Sequence, residues 1–482
     1  MSRAAVVGGS LVGLTAALVL RDQGWDVDVL ERSAVPLQGR GAGIVLHPTT
    51  VRYLVERVGT AIADIGVPAS RLRYLGDDGS VAHEQPCAHR LASYFELYQG
   101  LLDTFGTEHY HLSTQLAHLE NRGDEVALSL TDGQTLTADL VVCADGIRST
   151  GRAILVPDAQ PRYVGYVAWR GTTERDELSG HTASILRDAI TYRILPHGHL
   201  LTYPIPGPDG SVLCNWLWYR NVAAGDHLND LLTDRNGSRA ELTVPPGSVQ
   251  TKHLEALHSA ADTELPSPIA ELVQRSAEPF VQVIVDLEVP RMAFGRSCLI
   301  GDAAFALRPH IGAGTAKAAD DAWQLGNALL HTTGRHVPAR LKGWEAHQLP
   351  AARRAMQRAC AAGRSVQFEG TWRVGDPSPF GQHVAGDSTL PIRLEQKGIP
   401  NAQAFGPRRS LPLRGHPADP GTAPGGRLRQ PQPRRQGTER LPQHGATRRS
   451  DRSAPPRRSG DNPVRAGRHR QVPVGRPSGA RR

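Results

Sequence analysis

The first thirty residues divide into short apolar runs separated by a stretch of helical periodicity. Ala4-Ala5-Val6-Val7 has the length and composition of a buried strand. Gly8-Gly9-Ser10-Leu11-Val12-Gly13 interrupts it, and Leu14–Arg21 resumes with helical spacing and small residues near its start, with Gly24 placed to stop the helix. Asp26-Val27-Asp28-Val29-Leu30-Glu31 is a second strand, and it ends on an acid. Strand, glycine turn, helix, strand and terminal acid form the context in which a glycine-rich turn binds a dinucleotide. Gly8 would make the tight turn and Gly13 would let helix pack on strand. The helix N-terminus would offer free N–H groups to a pyrophosphate, and Glu31 would accept hydrogen bonds from a ribose. Ser10 stands at the middle glycine position of the fingerprint.

The pattern recurs twice. A strand-like run over 136–142 leads into Cys143-Ala144-Asp145-Gly146-Ile147-Arg148-Ser149, followed by Arg152. Arg296-Ser297-Cys298-Leu299-Ile300 leads into Gly301-Asp302-Ala303-Ala304, then Pro309-His310-Ile311-Gly312-Ala313-Gly314-Thr315 and a long helical stretch from Ala318 to about Arg364. Each time a strand meets a turn at its carboxyl end, where open α/β sheets bind ligands. Residues 160–280 are different. Ala183–Leu186, Ile190–Leu195, His199–Pro204 and Val212–Tyr219 are short β-rich runs, the later ones separated by turns at 197–198 and 207–210, and they predict an antiparallel sheet.

Charge sharpens the division of the chain. Its formal net charge of +8 comes from 55 basic and 47 acidic side chains. Residues 401–482 hold 19 arginines, no lysine and four acids, a net +15, which leaves the first 400 residues at −7. A mildly acidic body argues against nucleic-acid binding, which needs a basic face on the folded part. The stretch 380–482 is Arg/Pro/Gly-rich and without periodicity, so a disordered basic tail is expected. It reads either as an out-of-frame continuation of a GC-rich gene, which we favour, or as a tail for an acidic partner. Five scattered cysteines without CxxC spacing fit a reducing compartment. No apolar run has the length of a membrane span, and the N-terminus lacks a signal-peptide pattern. A cytoplasmic protein with neither membrane nor nucleic-acid partner is the expectation. Adjacent Asp320 and Asp321 diverge on a helix, so no metal site is expected.

With three motifs in this order, the chain resembles the single-component FAD-dependent aromatic hydroxylases, the para-hydroxybenzoate hydroxylase-like group. Within it the match is tighter to the 2,6-dihydroxypyridine 3-monooxygenase branch, through 41–45, Tyr163–Gly171, Tyr203–Gly207, Arg308-Pro309-His310 and Ala316–Ala322. The likeness runs over about 4–380. It implies an α/β fold: a Rossmann-like FAD-binding domain (1–75, 100–160 and 280–370) with an inserted β-sheet substrate domain (76–99 and 161–279). It also implies FAD as cofactor, NADH or NADPH as co-substrate, and hydroxylation of an electron-rich aromatic ring through a flavin hydroperoxide. A homodimer rests on the resemblance alone. Gly8, Ser10, Leu11, Gly13, Glu31 and Arg32 are implied to hold the adenosine end of FAD, and Gly43, Pro309, Gly312, Ala313 and Gly314 to lie near its ring. Asp302 takes the ribityl and pyrophosphate side, and Asp145 with Arg148 serves both FAD and the nicotinamide donor. Phe305 stands where many relatives carry His, and Gln99 where many carry an Arg that contacts the cofactor.

Ring hydroxylation needs an electrophilic oxygen that no side chain supplies, so the protein's part is orientation, exclusion of water and proton removal. His310 is the leading candidate base, expected to face the flavin region, with His47 and Tyr203 as further candidates for touching the substrate. Arg170 is expected in a structural salt bridge, and His89 and His199 as ordinary polar residues. A flavin reductase or oxidase on the same fold, or an inactive frameshifted relative, are the alternative readings.

Overall fold

The computed structural model describes residues 2–37, 43–207, 210–332 and 334–373, all within the unit Met1–Pro400. The expected tail over 380–482 lies outside the described residues, as do 41–42 and 208–209 of the quoted motifs.

Arg3–Val7 is the centre of a six-stranded sheet. Leu140–Cys143 and Asp26–Leu30 flank it in parallel, Ser297–Leu299 extends one side and Tyr110–His111 the other, and Ala293–Phe294 closes an edge antiparallel. The burial pattern explains the parallel arrangement: Val6, Val29, Leu140–Cys143, Cys298 and Leu299 are all buried, as strands covered on both faces must be. Leu11–Asp22 covers one face beside Gly314–Leu329 and Tyr94–Phe105, and the three share one apolar core with the sheet. The register levels Val7 with Cys143 and Cys143 with Leu299. Three turns far apart in sequence, at Gly8, Asp145 and Asp302, therefore leave the same edge of the sheet side by side.

A second sheet of ten strands is largely antiparallel. Its order runs Thr243–Val244, Phe280–Glu288, Arg162–Glu174, Val212–Asn221, Gly198–Pro206, Ala189–Leu195, Val67–Leu75, Val81–Ser93 and Gly43–Val45, with Phe305–Ala306 pairing to Phe280–Glu288. Alternation sorts its two faces. Trp216 and Trp218 point into a core shared with Thr251–Glu264 and Ser267–Gln274, while Leu217 and Tyr219 face the other way, with Tyr203 and Tyr192.

Several expectations are corrected. The run at 136–142 is two strands: Thr135–Ala138 ends a three-stranded meander, and Leu140–Cys143 enters the parallel sheet. Ala183–Leu186 is helical, within Gly180–Leu186, because the Ser179 hydroxyl caps it by accepting from the Thr182 N–H. The helical stretch after Ala318 is two helices, Gly314–Leu329 and Val337–Arg364. Strand Val67–Leu75, assigned by sequence to the cofactor part, lies inside the large sheet, and Gly43–Val45 is on its edge.

Candidate active site

Gly8 turns at φ +102° where the first strand ends, a conformation that favours glycine, and its N–H donates to the Leu30 carbonyl at 2.8 Å. A Cβ on Gly13 would collide with the Gly8 carbonyl, so the turn and the first helix close on each other only with glycine there. Glu31 is 5% exposed, and its carboxylate accepts from the Gly9 and Ser33 N–H groups, each at 2.9 Å. The Ser10 hydroxyl lies 2.7 Å from that of Tyr94, which ties the turn to helix Tyr94–Phe105.

The second turn is held by its own acid. Asp145 accepts from the Ser149 hydroxyl at 2.5 Å and from the Gly151 N–H at 3.1 Å, and burial outweighs these bonds to raise its carboxyl above the usual range. Behind the third turn, Lys317 and Asp321 form a buried ion pair at 2.6 Å, and Asp321 also accepts from the Gly301 N–H at 3.0 Å. Asp302 is exposed and opens onto the space between the motifs. The protein walls around it raise its carboxyl by desolvation, and the Lys317 charge opposes that shift.

A single cavity of about 1050 Å³ runs from these turns to the inner face of the large sheet. At the first end it is lined by Gly8, Ser10, Leu11, Glu31, Asp145 and Asp302, with Gly43, Pro309, Gly312 and Gly314 midway and exposed Arg32 and Arg148 at the rim. Two helices, Leu11–Asp22 and Gly314–Leu329, begin at this cavity, and neither has a side-chain cap. Their orphan N–H groups and positive ends suit an anion and an electron-rich ring edge. A Cβ at Gly312 or Gly314 would meet nothing within 4 Å, so backbone lies open to the cavity there. A buried carboxylate, two uncapped helix starts and an open glycine loop fit the parts of FAD.

At the sheet end, Ala168, Arg170, Tyr192, Tyr203, Tyr219 and Gln282 are among the lining residues. Tyr203 donates to the Gly43 carbonyl at 2.8 Å, and Asn215 accepts from the Gly43 N–H at 3.4 Å. Burial pushes the Tyr203 phenol up to about 12, with Arg170 opposing the shift.

Comparison with known proteins agrees with this geometry. The FAD binding domain family model matches residues 1–162 and 283–359, and the FAD binding domain-like model matches 163–286. The 2,6-dihydroxypyridine 3-monooxygenase of Paenarthrobacter nicotinovorans is 40% identical over 379 residues, covering 78% of this chain and 94% of the relative. The chain belongs to the FAD-dependent aromatic hydroxylases. A solved hydroxylase of the family, the 2,6-dihydroxypyridine-3-hydroxylase from Arthrobacter nicotinovorans, superposes with a TM-score of 0.76 at 38% identity, over 83% of this chain and 99% of that one. Klebsiella pneumoniae HpxO complexed with FAD and uric acid shares the fold at 23% identity and a TM-score of 0.63, over 76% and 89% of the two chains.

The hydroxylase cavity does not gather all the residues singled out from sequence. Gly13 and Ala313 lie behind its lining. His310 is fully buried and does not line it. The 3₁₀ turn Pro309–Ile311 directs its ring toward helix Val337–Arg364, where Gly363 leaves room, and its Nε2 lies 2.7 Å from the Tyr166 hydroxyl. Its ring sits among those of Tyr166, His199 and Tyr219, at 5.1–5.5 Å. The expectation that it faces the flavin region is corrected. His47 is likewise buried off the lining, and its Nε2 donates to the Gly312 carbonyl at 3.0 Å. His89, set aside by sequence, is the histidine that does line the cavity among the described residues. Gln99 bonds to Asp103 at 2.6 Å and does not reach the lining. Phe305 is buried beneath the Lys317 ammonium, 4.9 Å from its ring centroid. Arg170 forms no ion pair among the described residues; its Nη1 donates to Gln282 Oε1 at 2.6 Å. Gln282, Tyr192, Tyr219 and Asn215 were missed. Only period-two alternation offered a signal for them, and with both faces of these strands apolar it does not say which face lines a cavity.

Proposed function

We propose that this monooxygenase uses NADH or NADPH and O₂ to hydroxylate a hydroxypyridine such as 2,6-dihydroxypyridine. The observation that carries the reading is the single cavity joining a dinucleotide cradle to a sheet face set with tyrosines, Arg170 and Gln282. The 40% identity to a dihydroxypyridine monooxygenase supports the substrate class.

Glu31 and the turn at Gly8 would hold the adenosine and pyrophosphate end of FAD, Asp302 the middle, and the Gly312–Gly314 loop the ring. When bound, FAD supplies the oxygen-activating chemistry that side chains lack. The chain's own residues do the rest. Leu72, Ile190, Leu201 and Leu217 line the sheet end, keep water out and let a flat ring lie against the sheet. The Tyr203 hydroxyl, already donating to Gly43, retains an oxygen lone pair for an N–H or O–H on the ring. In this reading neither His310 nor His47 removes the substrate's proton; both hold the walls. The protein works in the cytoplasm on a small aromatic substrate, without nucleic-acid or membrane partners. A homodimer follows from family likeness and is checked by light scattering.

The test is NADH and NADPH oxidation by FAD-loaded protein with and without 2,6-dihydroxypyridine. At least tenfold acceleration by one nucleotide is expected. Unchanged oxidation in yellow protein removes that substrate.

A further inference from the structure

Arg170 stands apart from the other buried or half-buried cations. Arg308 pairs with Asp286 at 2.8 Å and Lys317 with Asp321 at 2.6 Å, while Arg152 and Arg296 spend their donors on backbone carbonyls. Arg170 has one hydrogen-bond partner among the described residues, Gln282, although it projects into the cavity. Its Nε is buried without an acceptor, and a donor left so is destabilising unless something else supplies one. The acids lining the cavity are Glu31, Asp145 and Asp302 at the cofactor end and the exposed Glu241. Facing Arg170 from the neighbouring strands are Leu217, the Tyr203 and Tyr219 phenols, and Phe280, whose ring centroid lies 5.9 Å from the guanidinium carbon. The sheet end thus holds a positive charge with unused donors and no ion pair to it among the described residues.

We infer that Arg170, oriented by Gln282, recognises the aromatic substrate as an oxyanion, a ring whose hydroxyl has given its proton to water. This rests on the hydroxypyridine reading above. A guanidinium stays protonated at any working pH and presents planar paired donors that match an oxygen on a flat ring. Gln282 takes one Nη1 hydrogen and so fixes the plane, leaving Nη2 and the second Nη1 hydrogen for the ligand. Holding the anion also keeps the ring electron-rich, the condition an electrophilic oxygen requires. Arg170 is therefore a substrate-binding and specificity-determining residue of the sheet end.

The test is equilibrium binding to FAD-loaded protein without nicotinamide, followed by flavin absorbance. The probes are 2,6-dihydroxypyridine and the non-ionisable 2,6-dimethoxypyridine, across the first ionisation of the former. Wild-type affinity for the dihydroxy compound should rise about tenfold per pH unit up to the ring hydroxyl's own pKa and then level, with the dimethoxy compound at least tenfold weaker. Arg170→Gln should weaken anion binding about 10- to 100-fold and flatten the slope, while FAD affinity stays unchanged. Arg170→Lys should keep the slope at intermediate affinity, and it decides the matter if Arg170→Gln fails to hold FAD. Equal binding of the two probes, an unchanged slope in Arg170→Gln, or no binding by wild type overturns the inference. Arg170-dependent anion binding without accelerated NAD(P)H oxidation keeps it and removes the hydroxypyridine reading.

Discussion

His47 and Gly312 are 265 residues apart and joined by a 3.0 Å hydrogen bond from the imidazole Nε2 to the backbone carbonyl. The bond pins the loop after Gly43–Val45 to the glycine loop that begins helix Gly314–Leu329. His47→Ala removes a buried donor and frees that loop, at about 1–3 kcal/mol. FAD should bind about tenfold more weakly, while kcat at saturating FAD stays within about threefold of wild type. Fluorescence titration of FAD and steady-state rates check this. A collapsed rate with FAD fully bound would make His47 a catalytic group.

The buried histidines predict an acid weakness. Burial pushes His310 well below its ordinary 6.5 and His199 down to about 3. Both are neutral in the folded protein and both gain a proton when it unfolds below about pH 6.5. Stability therefore rises with pH up to about 6.5 and is lost as pH falls from there toward 3, each histidine contributing up to about 1.4 kcal/mol per pH unit. Thermal melts between pH 8 and 5 should show the slope, and His310→Gln should reduce it without altering the pH–rate profile. A shifted rate profile would restore His310 as the base.

Glu31→Gln keeps size and shape but replaces one carboxylate oxygen by a donor beside the Gly9 and Ser33 N–H groups. It loses one acceptor oxygen, so the remaining amide oxygen must serve an N–H group as well as any ribose hydroxyl. FAD affinity should fall about 10- to 100-fold, with the melting temperature of the FAD-saturated protein nearly recovered. Unchanged FAD affinity would place the ribose elsewhere.

What the sequence disclosed is what local chemistry determines. Gly8, the Asp145-Gly146 pair and Gly301-Asp302 each follow an apolar strand, and turn chemistry of that kind is visible in a few residues. What it hid depends on distant neighbours. The direction of His310 is set by the space at Gly363 in the final long helix, and the partner of Arg170 lies 112 residues away at Gln282. Ala183–Leu186 is a short run, three of its four residues apolar, that suits strand or helix equally, and the Ser179 cap decides it. Along Val212–Asn221, Trp216 and Leu217 are both buried on opposite faces, so alternation of hydrophobicity could not tell core from cavity.

Lys317 and Asp321 support the loop that carries Asp302. Lys317→Met leaves Asp321 charged and buried without its partner, which costs about 3–5 kcal/mol. Lys317→Met with Asp321→Asn removes the stranded charge and should recover part of that loss while the amide oxygen still accepts from Gly301. Denaturant unfolding of the three proteins gives the values. A single substitution costing under about 1 kcal/mol would contradict the burial of this pair.

The most direct measurement is the mass of the product formed by FAD-loaded protein from 2,6-dihydroxypyridine and the preferred nicotinamide nucleotide under ¹⁸O₂. A hydroxylated product carrying one ¹⁸O atom is predicted, with the label absent when ¹⁸O is supplied only as water. Nucleotide oxidation that yields only peroxide and unaltered ring, or a product whose new oxygen comes from water, would contradict the assignment of this cavity to monooxygenation of a hydroxypyridine.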